Sequence, residues 1–162
     1  MKNSKHLFYL LLLLVVPLAC TPSTKEDNDP NYVDGYIVSS FVCEKTDASG
    51  QAIGENTERG YGILLKDSKN ANSHWAIDFY TFNLPIDLLD FPQEILFEGS
   101  NGDNCGPVFF PENYRKTYKI KFQYKILRES EKEKFACGPC THLNQSFPWE
   151  NYNEVFLKNV TK

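Results

Sequence analysis

The clearest pattern of hydrophobic and polar positions lies in residues 117–127. Large apolar side chains stand at every second position of this segment: Tyr118, Ile120, Phe122, Tyr124 and Ile126. Lysine and glutamine fill the positions between them. A period of two is that of a β-strand, because successive side chains of a strand point to opposite faces. The segment is therefore predicted to be a strand with one buried and one solvated face.

Residues 60–66 and 74–82 are predicted to form an antiparallel hairpin. Both are rich in aromatic and aliphatic residues, and the polar segment 67–73 between them contains residue types that favour turns. In the second arm a period of two divides the side chains between two faces. One face carries Trp75, Ile77, Phe79 and Thr81, and the other carries Ala76, Asp78 and Tyr80.

Shorter elements complete the pattern. Residues 36–43 are rich in β-branched and aromatic side chains and are predicted to be a strand. Residues 94–98 are a short strand candidate, and residues 154–160 are expected to tie the C-terminus into the sheet. Pro85 and Pro92 frame one or two helical turns between them.

Residues 32–162 leave room for one domain of ordinary size, which the strand pattern predicts to be all-β. The order strand-strand-strand-helix-strand-strand over residues 36–127 resembles the OB-fold, a small, partly open antiparallel barrel of five strands. The terminal strand 154–160 would be an addition to that family. A β-sandwich with one short helical connector explains the same order of elements.

The N-terminus has the pattern of an export signal. Lys2 and Lys5 precede an apolar run at residues 7–19. A helix needs roughly 18 or more apolar residues to cross a bilayer, so this run is too short to be a membrane span. An ordinary secretory signal would carry the same pattern.

The motif Pro17-Leu18-Ala19-Cys20 resembles the lipobox of bacterial lipoproteins. The resemblance implies a signal peptide at residues 1–19, a lipid on Cys20 and a flexible tether at residues 20–31. Lys25-Glu26-Asp27 resembles the export signal of Bacteroidota-type surface lipoproteins. The chain is thus expected to be an outer-membrane lipoprotein of the cell envelope, in contact with the membrane through its N-terminal lipid.

Composition narrows the range of partners. The chain is 14% aromatic and has one methionine, so aromatic rings must supply much of the buried surface. Its formal net charge of −4 becomes −6 once Lys2 and Lys5 leave with the signal. No basic patch interleaves with aromatic residues, and a negative chain repels phosphate, so nucleic acid is not an expected partner.

Four cysteines remain when Cys20 is assigned to lipid: Cys43, Cys105, Cys137 and Cys140. An even number in an oxidising compartment predicts two disulfides, and four cysteines allow three connectivities. The favoured arrangement pairs Cys43 and Cys105 each with one member of Cys137/Cys140, because such bridges close the longest loops.

Cys137-Gly138-Pro139-Cys140 is identical to the redox motif of the thioredoxin family, which implies an alternative function as a thiol-disulfide oxidoreductase or redox sensor. The surroundings differ from that family. Only 22 residues follow Cys140, they include Pro148, and they have no βαβ pattern. A turn that places two structural cysteines is the favoured interpretation.

Other chemistry has weaker support. Cys137, Cys140 and His142 could bind zinc together with Cys43 or Cys105, but exported thiols tend to oxidise before they meet a metal, so no metal or cofactor is predicted. His74 is expected to be a packed or surface histidine. Asp87 and Asp90 are interpreted as charges on an exposed helical face.

The favoured function is a non-catalytic binding or structural module, which would bind a protein, a glycan or a small ligand. Long loops predicted at residues 44–59 and 99–111 on a stiff β scaffold motivate this hypothesis. An inhibitor of hydrolases would also suit a small disulfide-bonded protein. Phe147, Trp149 and Tyr152 could form a platform on which sugars stack, although use of these rings in the core is favoured.

Overall fold

A computed structural model of the chain describes residues 32–73, 75–96, 106–137 and 147–162. Several sequence predictions fall outside these ranges: the signal peptide and tether at 1–31 with Cys20, then His74, Cys105, Cys140 and His142. Among the described residues, none belongs to a helix long and apolar enough to cross a membrane.

The described residues form an all-β fold, as the sequence predicts. The strands are β1 Val33–Thr46, β2 Ala52–Leu65, β3 Phe79–Thr81, β4 Val108–Phe109, β5 Lys119–Ile126, β6 Phe135–Ala136 and β7 Asn153–Thr161. Three short 3-10 helices lie at Ile86–Leu88, Gln93–Ile95 and Trp149–Asn151. The terminal strand predicted at 154–160 is confirmed as the greater part of β7.

The strands belong to one sheet, in which β1 pairs with β2, β2 with β3, β3 with β7, β7 with β5, and β5 again with β1. The short strands β4 and β6 also pair with β1. The β3–β7 pairing is parallel and the others are antiparallel. The expectation of a purely antiparallel sheet is therefore wrong, because the terminal strand runs in the same direction as β3.

The prediction of a long loop at residues 44–59 is wrong. Most of this segment belongs to β1 and β2, which pair from Gly35↔Leu65 to Thr46↔Ala52. The turn between them is closed by Asp47, whose carboxylate accepts hydrogen bonds from the backbone N–H groups of Ser49 (2.7 Å) and Gln51 (3.0 Å). The segment is polar because this end of the hairpin is solvated, and a strand with few buried positions has no hydrophobic period to detect.

The hairpin predicted from residues 60–66 and 74–82 is confirmed, with Tyr61 paired to Thr81 and Ile63 to Phe79. Its second arm is shorter than predicted, since residues 75–78 lie outside the strand and Trp75 is 67% exposed. The carboxylate of Asp78 explains the short arm. It accepts hydrogen bonds from the Leu65 N–H, at the end of β2, and from the Ser68 hydroxyl in the turn that follows, both at 2.8 Å. The Leu65 N–H is therefore bonded to a side chain instead of to a backbone carbonyl of the second arm.

Strand β5 has the predicted alternation along its first half, where Ile120 and Phe122 are fully buried. Ile126 was predicted to be buried and is 47% exposed, because the end of the strand extends past the core. The helical turn predicted between Pro85 and Pro92 is confirmed as the 3-10 helix Ile86–Leu88. Residues 94–96 are the described part of the strand predicted at 94–98. They are not a strand: Glu94 and Ile95 belong to the 3-10 helix Gln93–Ile95, which follows Pro92 and buries Ile95 in the core.

Apolar side chains form a main core and a smaller cluster on the opposite face of the β1–β2 hairpin. The main core includes Ile37, Ile63, Ile120, Phe122, Val155 and Leu157. The smaller cluster consists of Val38, Leu64 and Ile77, with Tyr36, Tyr80, Phe109, Phe147 and Tyr152 packed against it. Strands β1 and β2 are thus covered on both faces, which is why residues 37–41 are buried without interruption.

Candidate functional site

The described residues line an open cleft of about 820 Å³ beside β3. Four parts of the chain line it. They are the end of β1, β3 with the residue after it, the segment 129–137 between β5 and β7, and the segment 149–154, which includes the start of β7. We call this site the aromatic cleft. Its lining residues are Thr46, Tyr80, Phe82, Glu129, Lys132, Glu133, Lys134, Phe135, Cys137, Trp149, Glu150, Tyr152, Asn153 and Glu154.

Aromatic rings in mutual contact form one side of the cleft. The Trp149 ring lies 5.2 Å from that of Tyr80, centroid to centroid, and 4.6 Å from that of Phe41 beneath it. Phe82 and Phe135 stack at 4.2 Å with an angle of 26° between their planes. Tyr80, Phe82, Phe135 and Trp149 are half-buried, so the cluster combines packed ring faces with ring surface that a ligand can reach.

A glycine in β2 allows this packing. Phe41 and Gly60 are paired across the β1–β2 hairpin, and a Cβ atom at position 60 would lie 2.2 Å from the Phe41 ring. No side chain larger than hydrogen fits there unless Phe41 moves. Because Phe41 supports Trp149, the absence of a side chain at position 60 sets the position of the cleft's only tryptophan.

Phe147 and Tyr152, two of the rings predicted from sequence as a stacking platform or as core, are packed. They stack on each other at 5.1 Å and rest against the Val38 cluster. Tyr152 also lines the cleft, whereas Phe147 does not. Trp149, the third predicted ring, lines the cleft beside Tyr80 and is half-buried, so part of its surface is open to a ligand.

Residues 129–137, here called the wall segment, are attached to the tip of β1 at several points. Strand β6 pairs with β1 at Glu44↔Ala136, and the Thr46 N–H donates to the Lys134 carbonyl at 2.8 Å. A disulfide joins Cys137 to Cys43, a residue 94 positions earlier in the chain. The shape of the cleft therefore depends on contacts between distant parts of the sequence.

Acidic side chains outnumber basic ones around the cleft. Four carboxylates, of Glu129, Glu133, Glu150 and Glu154, face two ammonium groups, of Lys132 and Lys134. Lys132 is already paired with Glu129 at 2.5 Å, and Lys134 donates to the Ala48 carbonyl at 3.4 Å. The electrostatic environment of the cleft is therefore negative.

Glu154 is the most enclosed of these acids, with 7% of its surface exposed. Among the described residues, its carboxylate has no hydrogen bond or ion pair. Burial raises the pKa of this carboxyl, and Lys132 opposes the rise. The pKa of the adjacent Tyr80 is raised to about 12, first by burial and then by the negative charge of Glu154. Both shifts have burial as their largest cause, and the effect of Glu154 on Tyr80 shows that the carboxylate lies close enough to the phenol to act on it.

The predicted cysteine site is described in part. The Cys43–Cys137 disulfide is one of the bridges that the favoured arrangement allows, and it holds Cys137 in a bond outside the Cys137-Gly138-Pro139-Cys140 motif. Cys105 and Cys140 lie outside the described residues, so a second bridge stays a prediction. The zinc hypothesis also depends on Cys140 and His142; the described part of the chain contains no cluster of three or more potential metal ligands.

Sequence patterns missed most of the cleft. Asp87 and Asp90 are exposed, as predicted, and lie outside it. The period of two predicts that Tyr80 shares a face with Asp78. A large aromatic ring on the same face as an acidic side chain is the one sequence feature that could have indicated a functional surface here. Glu154 gave no signal, since one glutamate at the start of a strand is unremarkable in sequence. Compared with protein-family models, curated proteins and solved structures, the chain matches none.

Proposed function

We propose that this protein is a lipid-anchored binding module of the cell envelope, and that it holds a small organic ligand in the aromatic cleft. The observation that carries the proposal is a cleft of about 820 Å³ lined by half-buried rings with charged groups at its edge. Small-molecule sites combine an apolar, ring-lined surface with a few polar groups that orient the ligand, and their volumes are typically roughly 300–1,000 Å³.

The scaffold supports this role. We propose that the sheet is an OB-like barrel, since each strand of the series β1, β2, β3, β7, β5 pairs with the next and β5 pairs with β1. In this assignment β5 and β7 are the fourth and fifth strands, so the terminal strand belongs to the barrel instead of being an addition to it. OB-folds bind ligands on strands 2 and 3 and on the loops after strands 1 and 4. The cleft involves β3 and the wall segment, which follows β5.

The proposed location in the cell envelope rests on the N-terminal sequence alone. The apolar run at 7–19 and the lipobox-like residues before Cys20 favour a lipid anchor, and the polar residues after it favour a tether that would let the domain move above the membrane surface. Labelled palmitate should enter the wild-type protein and be absent from Cys20→Ser. Incorporation into neither protein would remove the membrane from the proposal and leave the binding function to be judged separately.

Fluorescence tests binding directly, because only one of the two tryptophans lines the cleft. In the non-lipidated Cys20→Ser chain, Trp75→Phe leaves Trp149 as the sole indole, and Trp149→Phe leaves Trp75 as the matched control. A panel of soluble sugars, amines and aromatic acids should contain a compound that changes Trp149 emission saturably and leaves Trp75 emission unchanged. Equal responses from both chains, or no saturable response to any compound, would contradict the proposal.

A further inference from the structure

We propose that the ligand of the aromatic cleft carries a positively charged nitrogen, such as an alkylammonium group, which lies against Trp149 and Tyr80 and is neutralised by Glu154. This inference rests on the proposed binding function and specifies its ligand class. It combines three observations: a buried carboxylate without a hydrogen bond or ion pair among the described residues, an excess of acidic over basic groups around it, and adjacent aromatic rings.

The first observation is the isolation of Glu154. Burying a carboxylate without a hydrogen bond or a counter-charge is unfavourable, and buried charges in proteins are normally paired. Glu154 is 7% exposed, and no donor among the described residues bonds its side chain. It nevertheless lines the cleft, so a ligand in the cleft can reach the carboxylate. A cationic ligand would supply the missing partner.

The second observation is the charge around Glu154. The charged groups that act on it are Lys132, Glu129 and Glu133 from the wall segment, and Glu58 from β2. Three of these four are acidic. The one base, Lys132, forms an ion pair with Glu129, while Glu133 is paired with Lys45 at 2.5 Å. The surroundings therefore favour a cation over a neutral or anionic ligand.

The third observation is the arrangement of the rings. Tyr80 and Glu154 are paired in the parallel β3–β7 contact, and the Trp149 ring is 5.2 Å from that of Tyr80. The faces of tryptophan and tyrosine attract cations, most strongly where water is excluded. A carboxylate that lines the same cleft as such rings is a combination suited to an ammonium group, because the rings attract the cation without requiring a hydrogen-bond donor from the ligand.

The test compares choline with its neutral isostere 3,3-dimethyl-1-butanol, using Trp149 emission in the Cys20→Ser, Trp75→Phe chain. We expect choline to bind about tenfold or more tightly than the alcohol. Glu154→Gln, which keeps the shape and removes the charge, should abolish most of that difference. Glu112→Gln, at an exposed position outside the cleft lining, should leave the difference unchanged.

Two outcomes would overturn the inference. Equal affinity for choline and the alcohol, with Glu154→Gln without effect, would show that charge does not select the ligand while leaving the cleft a binding site. Failure of both compounds to bind would also overturn it. In that case the wider panel of compounds tests the proposed binding function. A neutral compound that changes Trp149 emission saturably would support that function, and the absence of a saturable change with every compound would contradict it.

Discussion

Tyr80 and Glu154 are aligned across the parallel contact between β3 and β7, at the point where two strands far apart in sequence meet. This contact places a buried carboxylate next to a phenol whose pKa is raised to about 12. The pairing of β3 with β7 thus brings the Glu154 carboxylate and the Tyr80 ring to the same cleft. The same pairing links the terminal strand to the rest of the sheet.

Glu154→Gln should stabilise the protein at neutral pH while it weakens cation binding. The substitution removes an unpaired buried charge, so we expect the free energy of unfolding to rise by about 1 kcal/mol or less. Denaturant unfolding of the two proteins at pH 7 measures the difference. Loss of stability on substitution would indicate that Glu154 has a structural partner, and would contradict its assignment as a ligand group.

The pH dependence of that difference has a definite sign. Because the pKa of Glu154 is raised in the folded state above its ordinary value of 4.5, the folded protein binds this proton more tightly than the unfolded chain does. The wild type therefore loses stability through this group as the pH rises through the folded pKa. The advantage of Glu154→Gln should be present at pH 7 and vanish below pH 4.5, where the carboxyl is neutral in both states.

Loss of the Cys43–Cys137 bridge should destabilise the fold and weaken ligand binding together. Removing a native disulfide that closes a long loop costs about 2–5 kcal/mol. Cys137→Ser would also release one attachment of the wall segment. Urea unfolding and Trp149 emission measure the two effects. A redox enzyme predicts a different result, in which Cys137→Ser abolishes the reduction of insulin disulfides by the protein and leaves its stability intact.

Asn83→Ala should weaken the junction between β3 and β7. The Asn83 amide donates to the Leu157 carbonyl at 3.0 Å, and its side-chain oxygen accepts from the Leu157 N–H at 2.9 Å. Since Leu157 is buried, loss of both bonds leaves its backbone groups unsatisfied, at a cost of about 1–3 kcal/mol. Asn72→Ala, at an exposed turn, is the matched control; equal effects of the two substitutions would contradict this role.

Gly60→Ala should disturb the cleft indirectly, by displacing the Phe41 ring that packs against Trp149. The added methyl group would collide with the Phe41 ring, so we expect lower stability and weaker binding to a displaced Trp149. A double-mutant cycle with Phe41→Ala checks the cause. If the collision is responsible, Gly60→Ala should be less damaging when Phe41 is already truncated; additive effects of the two substitutions would argue against it.

The sequence pattern predicts those strands in which one face is exposed to solvent and the other is buried. Strand β5 is the clearest case, since Ile120 and Phe122 alternate with lysine and are fully buried. The tip of the β1–β2 hairpin escaped prediction because it is solvated, and a solvated strand has the composition of a loop. The prediction of a strand at 94–98 failed because a short apolar run after a proline is compatible with both a strand and a 3-10 helix.

The aromatic cleft could not be predicted from local pattern. Its rings and acids come from β3, the wall segment and the start of β7. These parts are brought together by the parallel β3–β7 pairing, the β1–β6 pairing and the Cys43–Cys137 bridge, all of which join distant parts of the sequence. Trp149 was recognised as a candidate ligand contact, but its partners Tyr80 and Glu154 were not. Pairing between strands that are distant in sequence is set by the tertiary fold, which a period of two does not encode.

The most direct test of the central claim, that the aromatic cleft is the ligand site, is an NMR titration of the ¹⁵N-labelled Cys20→Ser chain. Two tryptophans give two indole N–H signals, one inside the cleft and one outside it. Addition of choline should shift the Trp149 signal saturably and leave the Trp75 signal in place. Movement of the Trp75 signal alone, or of neither signal with any ligand in the panel, would contradict the account.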